Sequence, residues 1–314
     1  MRMRLSSASQ MPQVIGEEGD PPMNARHVYK TPPPGAASNW TIPQDWDAYT
    51  VEDHATWDRL FARQSAQLPD RACAAFLRGL DVLRLSRPGI PDFGALSERL
   101  EALTGWRVVA VPGLVPDSVF FDHLAHRRFV AGRFIRRPDQ LDYLEEPDVF
   151  HDVFGHVPLL ADPAYADYMQ AYGEGGLRSL RFGALHRLAR LYWYTVEFGL
   201  IEEAGGLRLF GAGIVSSHGE SLFALDDPSP NRIAFDLMRV MRTHYRIDDY
   251  QQSYFVIPSF EALLEATVAV DFAPVYAALE ALDDLRPEAL LPDERLFTRG
   301  TQAYAQQREA TRGA

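Results

Sequence analysis

Leu188-Ala189-Arg190-Leu191-Tyr192-Trp193-Tyr194-Thr195-Val196-Glu197-Phe198-Gly199 is apolar nearly all round when wound as a helix. A helix with no polar face has to be surrounded, so this run predicts a central, buried helix from about Ala184 to Ala204, stopped by Gly205-Gly206. Glu197 is the exception within it. A carboxylate in such a place must be paired, protonated or bound to a metal, because desolvating it alone is too costly.

The stretch 146–158 supplies company of the right kind, with His151 and His156 five residues apart among apolar neighbours, followed by Pro158. On an unbroken α-helix that spacing leaves the two rings about 140° apart in azimuth. The sequence therefore predicts a helix ending between them, with Gly155 in the left-handed closing position and His156 returning from the exit. Both imidazoles then face one point. His151, His156 and Glu197 form a candidate face of two His and one carboxylate, a ligand set that suits non-haem Fe(II) and is also used by zinc hydrolases. The usual zinc signature has i, i+4 spacing, whereas here it is i, i+5 with Asp152 in second place. A third reading has no metal: His151 caps a helix, His156 hydrogen-bonds in the core, Glu197 pairs with an arginine, and the chain is a helical binding protein.

Composition narrows the partners. A net charge of -12 argues against nucleic acid and acidic membranes, and an apolar fraction of 46% over 314 residues supports one large core. Cys73 is the only cysteine, which excludes an intramolecular disulfide, leaves metal binding to His and carboxylate, and fits a reducing cytoplasm. No apolar run reaches the length of a membrane span, and Met1 to Glu17 has no apolar segment of the kind secretory signals carry. The expectation is a soluble cytoplasmic monomer acting on a small molecule.

Three regions are expected: a flexible tail over residues 1–38, rich in Pro, Gly and Ser; a catalytic domain over 39–300; and a second tail over 301–314. Within the domain, helices are predicted at 51–63, 71–83, 95–103 (introduced by Asp92, stopped by Gly105), 163–172 (capped by Asp162, ending before Gly173) and 260–268 (capped by Ser259). Ser217-x-x-Glu220 has capping-box spacing and predicts another helix start. Short strands are predicted at 106–111, 127–135, 207–210 and 253–257, and Gly211-Ala212-Gly213 as a close-packed turn. The fold class is mainly α with a few short β strands, an α+β single domain.

Three blocks go beyond spacing. Residues 151–159 (HDVFGHVPL), 192–200 (YWYTVEFGL) and 211–220 (GAGIVSSHGE) resemble, in order and separation, the signatures of the pterin-dependent aromatic amino acid hydroxylases. The resemblance covers about Trp40 to Ala269. It implies that His151, His156 and Glu197 hold Fe(II), with Tyr192 near the metal. Phe120 is then the aromatic stacked on a tetrahydropterin, Leu114 and Val115 belong to the loop along the pterin edge, and Asp152 contacts the pterin through water. On the substrate side it implies that Arg136 pairs with the amino-acid carboxylate, Asp148 holds that arginine, Trp193 and Phe198 line the pocket, and Ser216 and Ser217 bind substrate. The implied reaction is hydroxylation of L-phenylalanine to L-tyrosine with O2 and a tetrahydropterin. The Tyr192-Trp193 pair and the apolar Val256 resemble members acting on phenylalanine; tryptophan is the alternative substrate within the family.

Two positions depart from the animal members. Asp152 stands where they have glutamate, and Leu144 where they have a threonine at the substrate carboxylate, which places more of that binding on Arg136 and the serines. The regulatory domain and tetramerisation helix of animal relatives have no counterpart here, in keeping with the expected monomer.

Overall fold

Helix α1 (Val51–Ser65) starts where Thr50 and Asp53 exchange hydrogen bonds in a capping box, and it buries Trp57 and Leu60. The computed structural model describes residues 31–142, 146–268 and 272–312; residues 1–30 of the expected tail, and Leu144, lie outside the described residues. Helix α2 (Ala74–Val82) starts three residues later than predicted, because residues 71–73 run beside Leu209 as extended chain. Helix α3 (Phe93–Thr104) has the predicted ends, with Asp92 accepting from the Ala95 N–H and Gly105 closing at φ 77°.

Strand β1 (Arg107–Ala110) pairs in parallel with β2 (Arg128–Ala131) through the intervening α4 (Asp117–Ala125). The second strand is shorter than predicted, since the Gly132 N–H leaves the ladder and donates to Asp152 Oδ2 at 2.7 Å. Helix α5 (Pro163–Ser179) begins at Asp162 as expected but runs through Gly173 instead of ending there. Its glycines permit contact: a Cβ on Gly173 would lie 2.4 Å from Ala125 N, and one on Gly176 would lie 2.1 Å from Phe121 Cδ1. Gly176→Ala should therefore destabilise the fold by about 1–3 kcal/mol through overpacking against α4, measurable as a lower denaturant midpoint with an unchanged slope.

Helix α6 (Leu185–Tyr192) passes into a wider π-turn over Trp193–Glu197, and the predicted helix ends there instead of at Ala204. The chain cannot continue helically because it is folded tightly on itself: a Cβ on Gly199 would sit 2.1 Å from Phe210 Cζ. Strands β3 (Leu200–Glu203) and β4 (Gly206–Leu209) follow as an antiparallel hairpin, with Gly206 at φ 109° in its turn. The single turn α7 (Ala212–Val215) leads to α8 (His218–Asp226), whose cap is half the predicted box: Ser217 Oγ accepts from the Glu220 N–H, but the Glu220 side chain is buried elsewhere.

Strand β5 (Asn231–Ala234), helix α9 (Leu237–Met241), strand β6 (Ser253–Ile257) and helices α10 (Phe260–Val268) and α11 (Phe272–Glu280) complete the body, and strand β7 (Leu296–Thr298) closes a five-stranded sheet of order β4-β3-β6-β5-β7. Within the expected tail over 301–314, α12 (Ala303–Arg312) is docked by Tyr304 and Arg308, which donate to the two oxygens of Asp249 at 2.8 and 2.9 Å. At the centre Phe150 and Phe154 stack at 4.7 Å, with Trp57 edge-on to Phe150 at 5.2 Å. Among the described residues no single helix is long and apolar enough to cross a membrane.

Candidate active site

The two histidines do not flank a helix end. Residues Phe150–His156 form one π-helical turn, continued by a 3-10 turn over Val157–Ala161, and Gly155 has no left-handed backbone. This winding solves the spacing problem: hydrogen bonds closed from i to i+5 bring residues five apart over one another, which the α period forbids. Gly155 serves contact, since a Cβ there would lie 3.0 Å from Ala212 O. The second π-turn, Trp193–Glu197, ends on the carboxylate, and Gly211 and Gly213 pack against the Glu197 carbonyl from the other side.

His151, His156 and Glu197 are all buried and their ligand atoms converge. The two Nε2 atoms are 3.2 Å apart; His156 Nε2 lies 3.4 Å from Glu197 Oε1, and His151 Nε2 lies 3.8 Å from Oε2. Donors at ~2.1 Å from one ion, meeting at 90° to 120°, are ~3.0 to 3.6 Å apart, so the arrangement fits a divalent metal with little movement. The tautomer is also right. Ser216 Oγ–H donates to the Ala212 carbonyl at 2.7 Å, so the same oxygen can only accept from His151 Nδ1–H at 2.9 Å, and this leaves the His151 Nε2 lone pair facing the cluster. Burial pushes the His151 imidazole down to about 4; Glu197 opposes this and His156 reinforces it, so the ring is neutral at pH 7 as a metal ligand must be. The His156 ring packs against Phe129 at 5.0 Å, while its Nδ1 is buried and has no hydrogen-bond partner among the described residues. Removing the serine hydroxyl that orients His151, as in Ser216→Ala, should weaken Fe(II) or Co(II) binding about 10- to 100-fold in a direct metal titration.

A cavity of about 270 Å³ opens beside the cluster, lined by His156, Glu197, Tyr192 and Asp152 together with Phe120, Leu114 and Val115. Phe129, Gly132, Phe134, Glu146 and Pro147 are also in its wall; the sequence pointed to no role for them, although Glu146-Pro147 opens the histidine stretch. Phe120 lies edge-on to Tyr192 at 5.9 Å. The cavity has room for a flat heterocycle beside the Phe120 ring, next to Gly113, Leu114 and Val115. Burial pushes the Asp152 carboxyl up to about 7, against the lowering effect of the Gly132 N–H, and burial holds the Tyr192 phenol well above its usual range, so it stays protonated.

The remaining predicted residues do not line this cavity. Arg136 forms a fork on Asp148, with Nε and Nη2 each donating at 2.8 Å, and Asp148 also accepts from the backbone N–H groups of Arg136 and His151 at 3.0 Å. Burial alone would raise the Asp148 carboxyl, but the Arg136 guanidinium and these donors outweigh it and hold it below the usual carboxylate range. Trp193 is wholly buried, packed on Phe198 at 4.7 Å and stacked on Tyr245 at 4.3 Å. Ser216 is occupied by His151, and Ser217 by its cap.

The sequence profile of the biopterin-dependent aromatic amino acid hydroxylases matches residues 40–273. Phenylalanine-4-hydroxylase of Caulobacter vibrioides is 63% identical over 274 residues, spanning 87% of this chain and 93% of the relative, and that of Chromobacterium violaceum is 54% identical over 84% and 89%. Among solved structures, Chromobacterium violaceum phenylalanine hydroxylase with bound oxidized Fe(III) superposes with a TM-score of 0.81 at 56% identity, covering 83% of this chain and 94% of that one. The same enzyme bound to cobalt also gives 0.81. The chain belongs to the biopterin-dependent aromatic amino acid hydroxylases. Membership sets aside the zinc-hydrolase and non-catalytic readings and makes iron and a tetrahydropterin the cofactors of the site.

Proposed function

We propose that this protein is a phenylalanine 4-monooxygenase, converting L-phenylalanine to L-tyrosine with O2, Fe(II) and a tetrahydropterin. The observation that carries this is the convergence of His151, His156 and Glu197 on the wall of a cavity faced by Phe120. The phenylalanine-4-hydroxylases of Caulobacter vibrioides and Chromobacterium violaceum, alike over most of their length, support the choice of substrate. His151 Nε2, His156 Nε2 and the Glu197 carboxylate would hold the metal. When bound, iron and tetrahydropterin supply the activation of O2, one atom of which goes to the para carbon of the substrate ring.

The chain's own part is positioning. Phe120 stacks on the pterin ring, Leu114 and Val115 run along its edge, Asp152 contacts it through water, and Tyr192 lies near the metal. Arg136 spends Nε and Nη2 on Asp148 and keeps Nη1 for the substrate carboxylate. Trp193 and Phe198 wall the amino-acid ring and keep water from the reacting atoms. Ser216 acts through His151, and Ser217 through the start of α8. Residues 39–300 are the catalytic unit, to which α12 adds a docked end. We place it in the cytoplasm as a monomer acting on a small molecule and not on nucleic acid or a membrane, in keeping with a net charge of -12. Amino-acid analysis after incubation with Fe(II), O2 and a tetrahydropterin tests the proposal. Tyrosine from phenylalanine, needing both cofactors, is expected; hydroxylation of tryptophan in preference to phenylalanine would overturn it.

A further inference from the structure

Hydrogen bonds run from the Trp193 indole through Gln251 and Glu220 to Ser217, the chain neighbour of the serine that holds the metal ligand His151. The Trp193 indole N–H donates to Gln251 Oε1 at 2.9 Å. That amide cannot rotate freely, because its Nε2 donates to the carbonyls of Arg246 and Asp249 at 2.9 and 3.4 Å. The Gln251 backbone N–H in turn donates to Glu220 Oε1 at 3.4 Å, and the Tyr254 hydroxyl donates to the same oxygen. Glu220, Tyr254 and Trp193 are each 0% exposed. From Glu220 the path continues through its own N–H to Ser217 Oγ at 3.3 Å, and the preceding residue, Ser216, is the one that holds His151.

We infer that Glu220 is a positioning residue for the hydroxylation, fixing the Trp193 wall through Gln251 and, through the first turn of α8, the Ser216 contact to His151. The inference rests on the substrate site proposed above. Glu220 is suited to this because two donors, the Gln251 N–H and the Tyr254 hydroxyl, meet on one of its oxygens, so a single side chain ties three elements together. The Trp193 indole and the segment that orients the His151 imidazole are thereby both referred to a single side chain. A ring held loosely between them reacts less often per turnover of cofactor, so the property Glu220 controls is how much pterin oxidation ends in tyrosine.

The test compares the wild type with Glu220→Ala, Glu220→Gln and Tyr254→Phe. L-phenylalanine is titrated calorimetrically into the Fe(II)-loaded protein without pterin, and tyrosine formed per tetrahydropterin oxidised is measured separately. Glu220→Ala should bind iron stoichiometrically, bind phenylalanine about tenfold more weakly, the loss expected for one buried hydrogen bond, and form less tyrosine per pterin. Glu220→Gln, which keeps an acceptor oxygen, should recover most of both. Tyr254→Phe should shift both in the same direction by less, and it carries the test if Glu220→Ala does not fold. Phenylalanine affinity and coupling equal to wild type in the folded variants would overturn the inference, as would a Gln variant as impaired as the Ala variant. Absence of tyrosine from the wild type would instead count against the proposed function, and the calorimetric arm would still judge Glu220.

Discussion

Glu197→Ala should abolish stoichiometric iron binding and lower tyrosine formation by at least about 10³-fold, the scale of losing an essential catalytic group. The three protein ligand atoms lie within 4.8 Å of one another, and His151 and His156 alone offer a metal only two nitrogens. The backbone around position 197 is fixed independently of the side chain, by the close approach of Gly199 to Phe210 and of Gly211 to the Glu197 carbonyl. Circular dichroism should therefore remain that of the wild type, and metal analysis with an activity assay separates lost chemistry from lost fold.

Arg136→Ala should cost about 3–5 kcal/mol of stability, because it leaves Asp148, wholly buried, as an uncompensated charge. The pH dependence carries the sign. In the wild type the Asp148 pKa is lower folded than unfolded, so its contribution is complete above the unfolded value of about 3.9 and is lost as pH falls through the folded value. Without Arg136, burial prevails and the folded pKa rises above the unfolded one. The variant's deficit should then be full at neutral pH and shrink as pH falls toward 4, as urea unfolding at a series of pH values would record. Arg136→Lys keeps a charge but not the fork, and should lose less stability while still raising KM for phenylalanine.

Local signals were legible wherever one residue decided the outcome. Asp92, Asp162 and Ser259 each cap a helix by a side-chain bond to the next turn, and Gly105 ends one by its left-handed backbone. Where a residue answers to a distant partner, local rules misled: Gly173 marks a helix crossing and not a helix end, and Gly199 marks a reversal inside what reads as continuous helix. The ligand residues were legible from burial and charge, but their geometry was not, because the α period has no place for i, i+5 convergence and π-winding leaves no pattern of its own. Glu220 read only as half of a capping box; its partners Gln251 and Tyr254 lie more than thirty residues away. Substrate and cofactor came from the resemblance of three blocks, which no reading of periodicity would have supplied.

The most direct measurement is the isotopic composition of tyrosine formed from L-phenylalanine under 18O2 in ordinary water, with Fe(II) and a tetrahydropterin present. One 18O atom in the phenolic hydroxyl of the product is the result expected of a monooxygenase working at the His151, His156 and Glu197 face. Tyrosine carrying oxygen from water, or no tyrosine from folded, iron-loaded protein, would contradict it.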